Sequence, residues 1–258
     1  MRLTINGALA MFLAAGALAA AEPPYAGKWK ENPEKSNFAG MTMTINQMPS
    51  GEMQFSAEGM TYKFKLDGKD YPDGMGGTAA WTSTGSNSWR TVDKMNGKTV
   101  ATDDLTVSSD GKGLTIHTTG TKPNGEPIDQ NANYRRVSGG PGLAGKWKTE
   151  NYKNANPNII ELVPSGSDGL IFKEAAYDLT CDSKLDGKDY PCTGPTIGSG
   201  WTVAMTKAGP RGLNMLIKKD GKPFFRETYT VSADGKTLTD TEVATATNEK
   251  TTLVLDRQ

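Results

Sequence analysis

Apolar and polar residues alternate with a period of two along much of this chain. Met60, Tyr62, Phe64 and Leu66 fall on one side of an extended segment, with Thr61, Lys63 and Lys65 on the other. Leu114 and Ile116 alternate in the same way with Thr115 and His117, and Leu253 and Leu255 with Thr252 and Val254. Pro, Gly and β-branched residues interrupt every window that might otherwise read as an amphipathic helix. The pattern predicts short, half-buried antiparallel strands.

Turn residues separate those strands, and they recur twice in matching order. Ser50 and Gly51 match Ser165 and Gly166, and Asp67 and Gly68 match Asp186 and Gly187. Asn96 and Gly97 match Asp220 and Gly221, and Asp110 and Gly111 match Asp234 and Gly235. The heptapeptide LDGKDYP occurs letter for letter at Leu66–Pro72 and at Leu185–Pro191, and GKWK at Gly27–Lys30 and Gly145–Lys148, so the chain carries an internal duplication. Asp-Gly between alternating segments is a strong hairpin signal, because a type I′ turn needs positive φ at both central residues. The heptapeptide therefore predicts a hairpin tip in each copy. Residues 138–142 (SGGPG) have linker composition, placing copy one at 25–137 and copy two at 143–258. A meander of eight to ten strands per copy loses its exposed edges by closing, so the expected fold is all-β, with two tandem antiparallel meander barrels.

The first 21 residues stand apart from this pattern. Arg2 precedes an apolar run from Leu9 to Leu18, then small residues Ala19 to Ala21, then Glu22 and Pro23, the order of a signal peptide. The run is too short to span a bilayer as a stable helix, and no later segment is long and apolar enough. The expectation is export, to the periplasm or beyond, without a membrane span. Lys plus Arg and Asp plus Glu balance at 29 each, so no charge excess points to nucleic acid or an anionic membrane.

Candidate chemistry is sparse. In a two-residue hairpin centred on Asp186 and Gly187, the only two cysteines, Cys181 and Cys192, fall directly opposite each other. Export exposes them to oxidation, so a structural disulfide is expected. His117 is the only histidine and lies by alternation on the outer face, which leaves no His-based triad or His-cluster metal site. The recurrent Asp-Gly-Lys turns lack the alternating acidic ligands and closing Glu of a calcium loop. Asp103 and Asp104 are adjacent on a strand and point to opposite faces.

A Gly-x-Trp in the first strand and an Arg in the last strand of a small meander barrel resembles the calycin superfamily, the lipocalins and fatty-acid-binding proteins. The resemblance implies that the Trp plugs one barrel end and the Arg packs across its indole: Trp29 with Arg135 or Arg136, and Trp147 with Arg257. Exported bacterial lipocalin-like proteins that carry GxWK, NPxKS and DGKDYP are more similar still. Here these are Gly27–Lys30, Asn32–Ser36 and both heptapeptides; the second copy loses NPxKS after Trp147. No activity comes with the resemblance.

The expected function is therefore that of a non-enzymatic exported protein holding a small apolar or amphipathic molecule inside one barrel or between the two, without cofactor or metal. Tyr62, Phe64 and Trp81 are the candidate lining. Met41, Met43, Met48, Met53, Met60 and Met75 add adaptable side chains to copy one. Trp201 follows a Gly-rich loop as Trp81 does, marking a second candidate mouth. The alternative is a structural or interaction module with filled barrels.

Overall fold

The computed structural model describes residues 22–195 and 197–258. The expected signal peptide at 1–21 lies outside the described residues. Ten strands precede the inter-copy connection: β1 (Gly27–Glu31), β2 (Thr42–Gln47), β3 (Met53–Ala57), β4 (Met60–Phe64), β5 (Asp67–Pro72), β6 (Thr78–Gly85), β7 (Ser88–Met95), β8 (Lys98–Val107), β9 (Gly113–Thr121) and β10 (Pro127–Ser138). Ten follow it: β11 (Gly145–Asn154), β12 (Ile159–Ser165), β13 (Gly169–Glu174), β14 (Leu179–Lys184), β15 (Tyr190–Thr193), β16 (Trp201–Lys207), β17 (Gly212–Lys219), β18 (Lys222–Val231), β19 (Thr237–Ala244) and β20 (Lys250–Arg257). Every pairing is antiparallel, and the strands form two ten-stranded barrel-like sheets. One is closed by hydrogen bonds all round and the other ends at β4 and β5; the all-β fold is the one the alternation predicts.

The barrels do not follow the copies. One barrel runs β2 to β11, and the other closes through β1 and β12 to β20. The copies have exchanged their first strands. β1 sits between β12 and β20, with Trp29 opposite Ile160 and Arg257. β11 sits between β10 and β2, with Trp147 opposite Arg136 and Met43. The expected boundary is corrected accordingly: residues 138–142 are the bend of the β10–β11 hairpin within one barrel rather than a linker between two. The physical reason is local. The short connection at 139–144 joins strands that pair from Gln130 with Asn154 to Ser138 with Lys146, and a connection that short between long antiparallel strands makes a hairpin.

The Trp and Arg pairs are corrected with it. The Arg257 guanidinium lies 4.0 Å from the Trp29 ring centroid, and that of Arg136 lies 3.9 Å from the Trp147 centroid. Arg135 is the outward neighbour, 3.9 Å from Glu150. Each stacked guanidinium also donates to three backbone carbonyls: Gly111, Gly142 and Ala144 for Arg136, and Pro24, Ala26 and Gly235 for Arg257. Each indole donates to the carbonyl four residues earlier, Trp29 to Tyr25 at 2.8 Å and Trp147 to Leu143 at 3.0 Å. The glycine two residues before each Trp is explained by the same contact. A Cβ on Gly27 would lie 2.9 Å from the Arg257 guanidinium, and one on Gly145 would lie 2.6 Å from that of Arg136.

The heptapeptides behave differently from a type I′ hairpin tip. Gly68 and Gly187 have positive φ but Asp67 and Asp186 do not; the turns with both central residues at positive φ are Glu58–Gly59, Asn96–Gly97 and Asp220–Gly221. In both heptapeptides the Asp carboxylate turns back on its own segment, accepting from the amide of Lys69 or Lys188 and from the hydroxyl of Tyr71 or Tyr190. In the first barrel β5 bonds only to β6, and β4 and β5 meet at a seam without a ladder. In the second barrel the matching seam holds two residue pairs, one of which is Cys181 with Cys192, joined as a disulfide. The disulfide supplies there what a ladder would. Its counterparts in the first copy, Tyr62 and Asp73, do other work: the Asp73 carboxylate accepts from the amides of Met75, Gly76 and Gly77.

Closing so short a loop stabilises the fold by roughly 3 kcal/mol in the chain-entropy account. We expect Cys192→Ser to lower the urea midpoint of the second barrel accordingly. A midpoint unchanged from the oxidised parent would contradict this role.

Candidate functional site in the first barrel

The inner face of the first barrel is built by register. Leu114 opposes Tyr134, Ile116 opposes Ala132, and Thr118 opposes Gln130, so all six share the face that carries the buried Leu114. Across β10, Thr149 opposes Tyr134 and Tyr152 opposes Ala132. β2 bonds to β11 only as far as Lys148; beyond it, the chain crossing from β1 to β2 takes over that edge. Gly40 donates its amide to the Thr149 carbonyl at 3.0 Å, and Thr149 donates to that of Met41 at 2.9 Å. This places Phe38 and Met41 over the barrel interior, with the Phe38 ring 4.6 Å from that of Tyr152.

Between these groups lies a cavity of ≈ 300 Å3. Its walls are mainly apolar, from Phe38, Met41, Ile116, Ala132, Tyr134 and Tyr152, with Thr118, Gln130 and Thr149 as polar points. Thr118 leads to a carboxyl pair behind the wall. Its hydroxyl donates to Asp103 at 2.5 Å, and the Thr91 hydroxyl donates to the other Asp103 oxygen at 2.8 Å. Asp93 hydrogen-bonds to Asp103 from the neighbouring strand, and burial, followed by the charge of Asp103, pushes its carboxyl up to about 7. Asp93 thus carries its proton for much of the time near neutral pH and directs it to Asp103. Neither lines the cavity, and Thr118 is the contact between the pair and its wall. Burial also raises the Tyr134 and Tyr152 hydroxyls, so both stay neutral donors.

The three expected lining residues are brought together, but as packing. Phe64 and Trp81 are buried, their rings near parallel with centroids 4.3 Å apart. The Trp81 indole donates to the Tyr62 hydroxyl at 3.2 Å, and Phe55 stacks on Tyr62 at 5.2 Å. None of the three lines the ≈ 300 Å3 cavity. Tyr62 comes nearest in role: burial, with the charges of Asp93 and Asp103, holds its hydroxyl neutral. Trp81 and Trp201 are not equivalent. The bridges Asp67 to Thr82 and Asp186 to Thr206 align Trp81 with Met205, while Trp201 stands at the start of β16, edge-on to Phe224. The methionines divide: Met43 and Met53 fill the core, Met41 lines the cavity, and Met60 and Met75 line a cleft between the barrels.

His117 lies on the outer face, its Nε2 2.9 Å from Asp129. Asp104 faces outward to Arg90 while Asp103 faces inward, as alternation predicts. Of the Asp-Gly-Lys carboxylates, Asp67, Asp110, Asp186 and Asp234 are spent on the amides of Lys69, Lys112, Lys188 and Lys236, and Asp220 pairs with Lys219. Among the described residues, no group of three or more His, Cys, Asp or Glu is arranged to hold a metal ion, and no helix is long and apolar enough to cross a membrane. A larger groove of ≈ 820 Å3 opens where the chain crosses between barrels. Its walls carry Lys30, Glu34, Asp129, Lys153 and Asp256, charges of both signs on outward faces, which suit a hydrated crevice better than an apolar ligand. No protein-family model, curated protein or solved structure matches this chain.

Proposed function

We propose that the chain is an exported, lipocalin-like, non-enzymatic binding protein whose first barrel holds a small amphipathic molecule. The observation that carries this reading is the ≈ 300 Å3 cavity with aromatic and aliphatic walls and few polar points, within the size and character of small-molecule sites. Thr118, whose hydroxyl hydrogen is given to Asp103, Gln130 and Thr149 are polar points that suit a ligand with a hydroxyl or carbonyl at its buried end. The disulfide agrees with an oxidising compartment. A second reading, a structural or interaction module, draws on the aromatic packing of Phe55, Tyr62, Phe64 and Trp81, which fills the far part of the same barrel.

The two readings separate by titrating prodan, a neutral naphthalene ketone, against the oxidised full chain and against Ala132→Phe. The added ring enters the cavity from β10. Saturable blue-shifted fluorescence, weakened about tenfold or more in the variant, supports the binding protein. No binding, or equal binding by a variant with parental circular dichroism, favours the interaction module.

A further inference from the structure

The second barrel holds a group of inward carboxyls that the first-barrel cavity does not involve. Glu227 and Glu242 oppose each other on β18 and β19, and Tyr229 opposes Asp240 one step further along the same inner face. The Tyr229 hydroxyl donates to Glu227 at 2.7 Å. Asp240 is 6% exposed, and its Oδ1 is buried without a hydrogen-bond partner. The β3–β4 turn of the first barrel lies against the β19–β20 turn, where a Cβ on Gly59 would come within 2.9 Å of that of Ala246. Glu58 in that turn feels the charges of Glu242 and Glu249. Glu174, on β13, faces Glu227 from the other side.

Among the described residues, no cation offsets Glu58, Glu227, Asp240 or Glu242; the charges that act on them are other carboxylates, and burial and that repulsion raise all four. Lys122 acts on Glu174, and its ammonium is committed to Glu126 and the Asn156 carbonyl. Glu249 is engaged by the amide and hydroxyl of Thr42. Buried carboxyls without counter-charge are costly when ionised. They keep their protons or they receive a cation.

One member of the group, Glu58, reaches a cleft of ≈ 330 Å3 that lies between the barrels. Its apolar walls are Met60, Met75, Pro223 and Phe224. Two lysines also border it. Lys219 is held by the Ser199 carbonyl, by Asp220 at 3.5 Å and by the face of Trp201, and Lys222 is exposed. The apolar walls beside Glu58 suit a cation that carries an apolar body, that is, an organic ammonium.

We propose that this cleft and the carboxyls behind it bind an amphipathic amine, with its apolar body against Met60, Met75 and Phe224. The ammonium meets Glu58 and Glu242, in the field of the unpartnered Asp240 oxygen.

The test compares octylamine, octanol and octanoate by titration calorimetry on the oxidised full chain at neutral pH. The amine is expected to bind saturably, about tenfold or more tighter than the alcohol, with the carboxylate weakest. Glu242→Gln should bring the amine down to the affinity of the alcohol. Glu58→Gln, in the β3–β4 turn rather than on a barrel strand, is expected to do the same should the Glu242 substitution disturb the barrel. Ala132→Phe should leave amine binding unchanged, which separates this site from the first-barrel cavity. Equal affinity for all three ligands, no binding of the amine, or full affinity in both Gln variants would show that the carboxyls only share protons among themselves.

Discussion

Residues 38–156 expressed alone are expected to melt cooperatively and at a higher temperature than residues 22–139. The first fragment holds every strand of the first barrel, β2 to β11, together with Trp147, Arg136 and the cavity walls. The second follows the sequence copy but lacks β11. β1 can stand in for β11 over the four residues the two strands share, since both read GKWK. It cannot replace the rest: β1 ends at Glu31, whereas β11 continues to Asn154 and pairs with β10 throughout. In the shorter-stranded fragment the inner half of β10 therefore keeps unpaired backbone groups, and Tyr152 is missing from the wall. Differential scanning calorimetry of the two fragments gives the comparison. The reverse order of melting would mean that each copy keeps its own first strand.

Trp29→Ala is expected to cost roughly 3–5 kcal/mol, the range for a large aromatic lost from a close-packed core. Trp29 is 0% exposed and packs with Ile160, Leu162, Leu238 and Leu255 of the second barrel. Its loss also leaves the Arg257 guanidinium without its aromatic face. The location of the damage matters as much as its size. Although Trp29 belongs to the first sequence copy, amide exchange should quicken across β12 to β20 while β3 to β10 stay protected. Faster exchange confined to the first barrel would place Trp29 there instead.

The strands were legible because an inner face imposes a period of two, and Leu114, Ile116, Leu253 and Leu255 all obey it. The disulfide was legible because opposition across a hairpin is a matter of counting, and Cys181 does pair with Cys192. The strand exchange was not. Identical GKWK segments can fill identical places, so those four residues do not tell β1 from β11; the exchange follows from the short connection at 139–144. The cavity was hidden for the same reason. Phe38 and Met41 belong to the crossing between barrels, and Tyr152 lies beyond an irregularity at Asn133 and Tyr134 that shifts the register by which it would have been placed. A similar shift between Asp93 and Lys94 concealed the approach of Asp93 to Asp103.

Strand exchange is the claim on which the barrel boundaries, the site of the Trp29 effect and the cavity wall all rest, and cross-strand disulfide trapping tests it directly. Lys28 opposes Glu161 in the second barrel, whereas its counterpart Lys146 opposes Thr44 in the first. With exchange, the double variant Lys28→Cys, Glu161→Cys forms an intramolecular disulfide on mild oxidation, and Lys28→Cys, Thr44→Cys keeps two free thiols in the monomer. A bridge between positions 28 and 44, with none between 28 and 161, would contradict the exchange and return each first strand to its own copy.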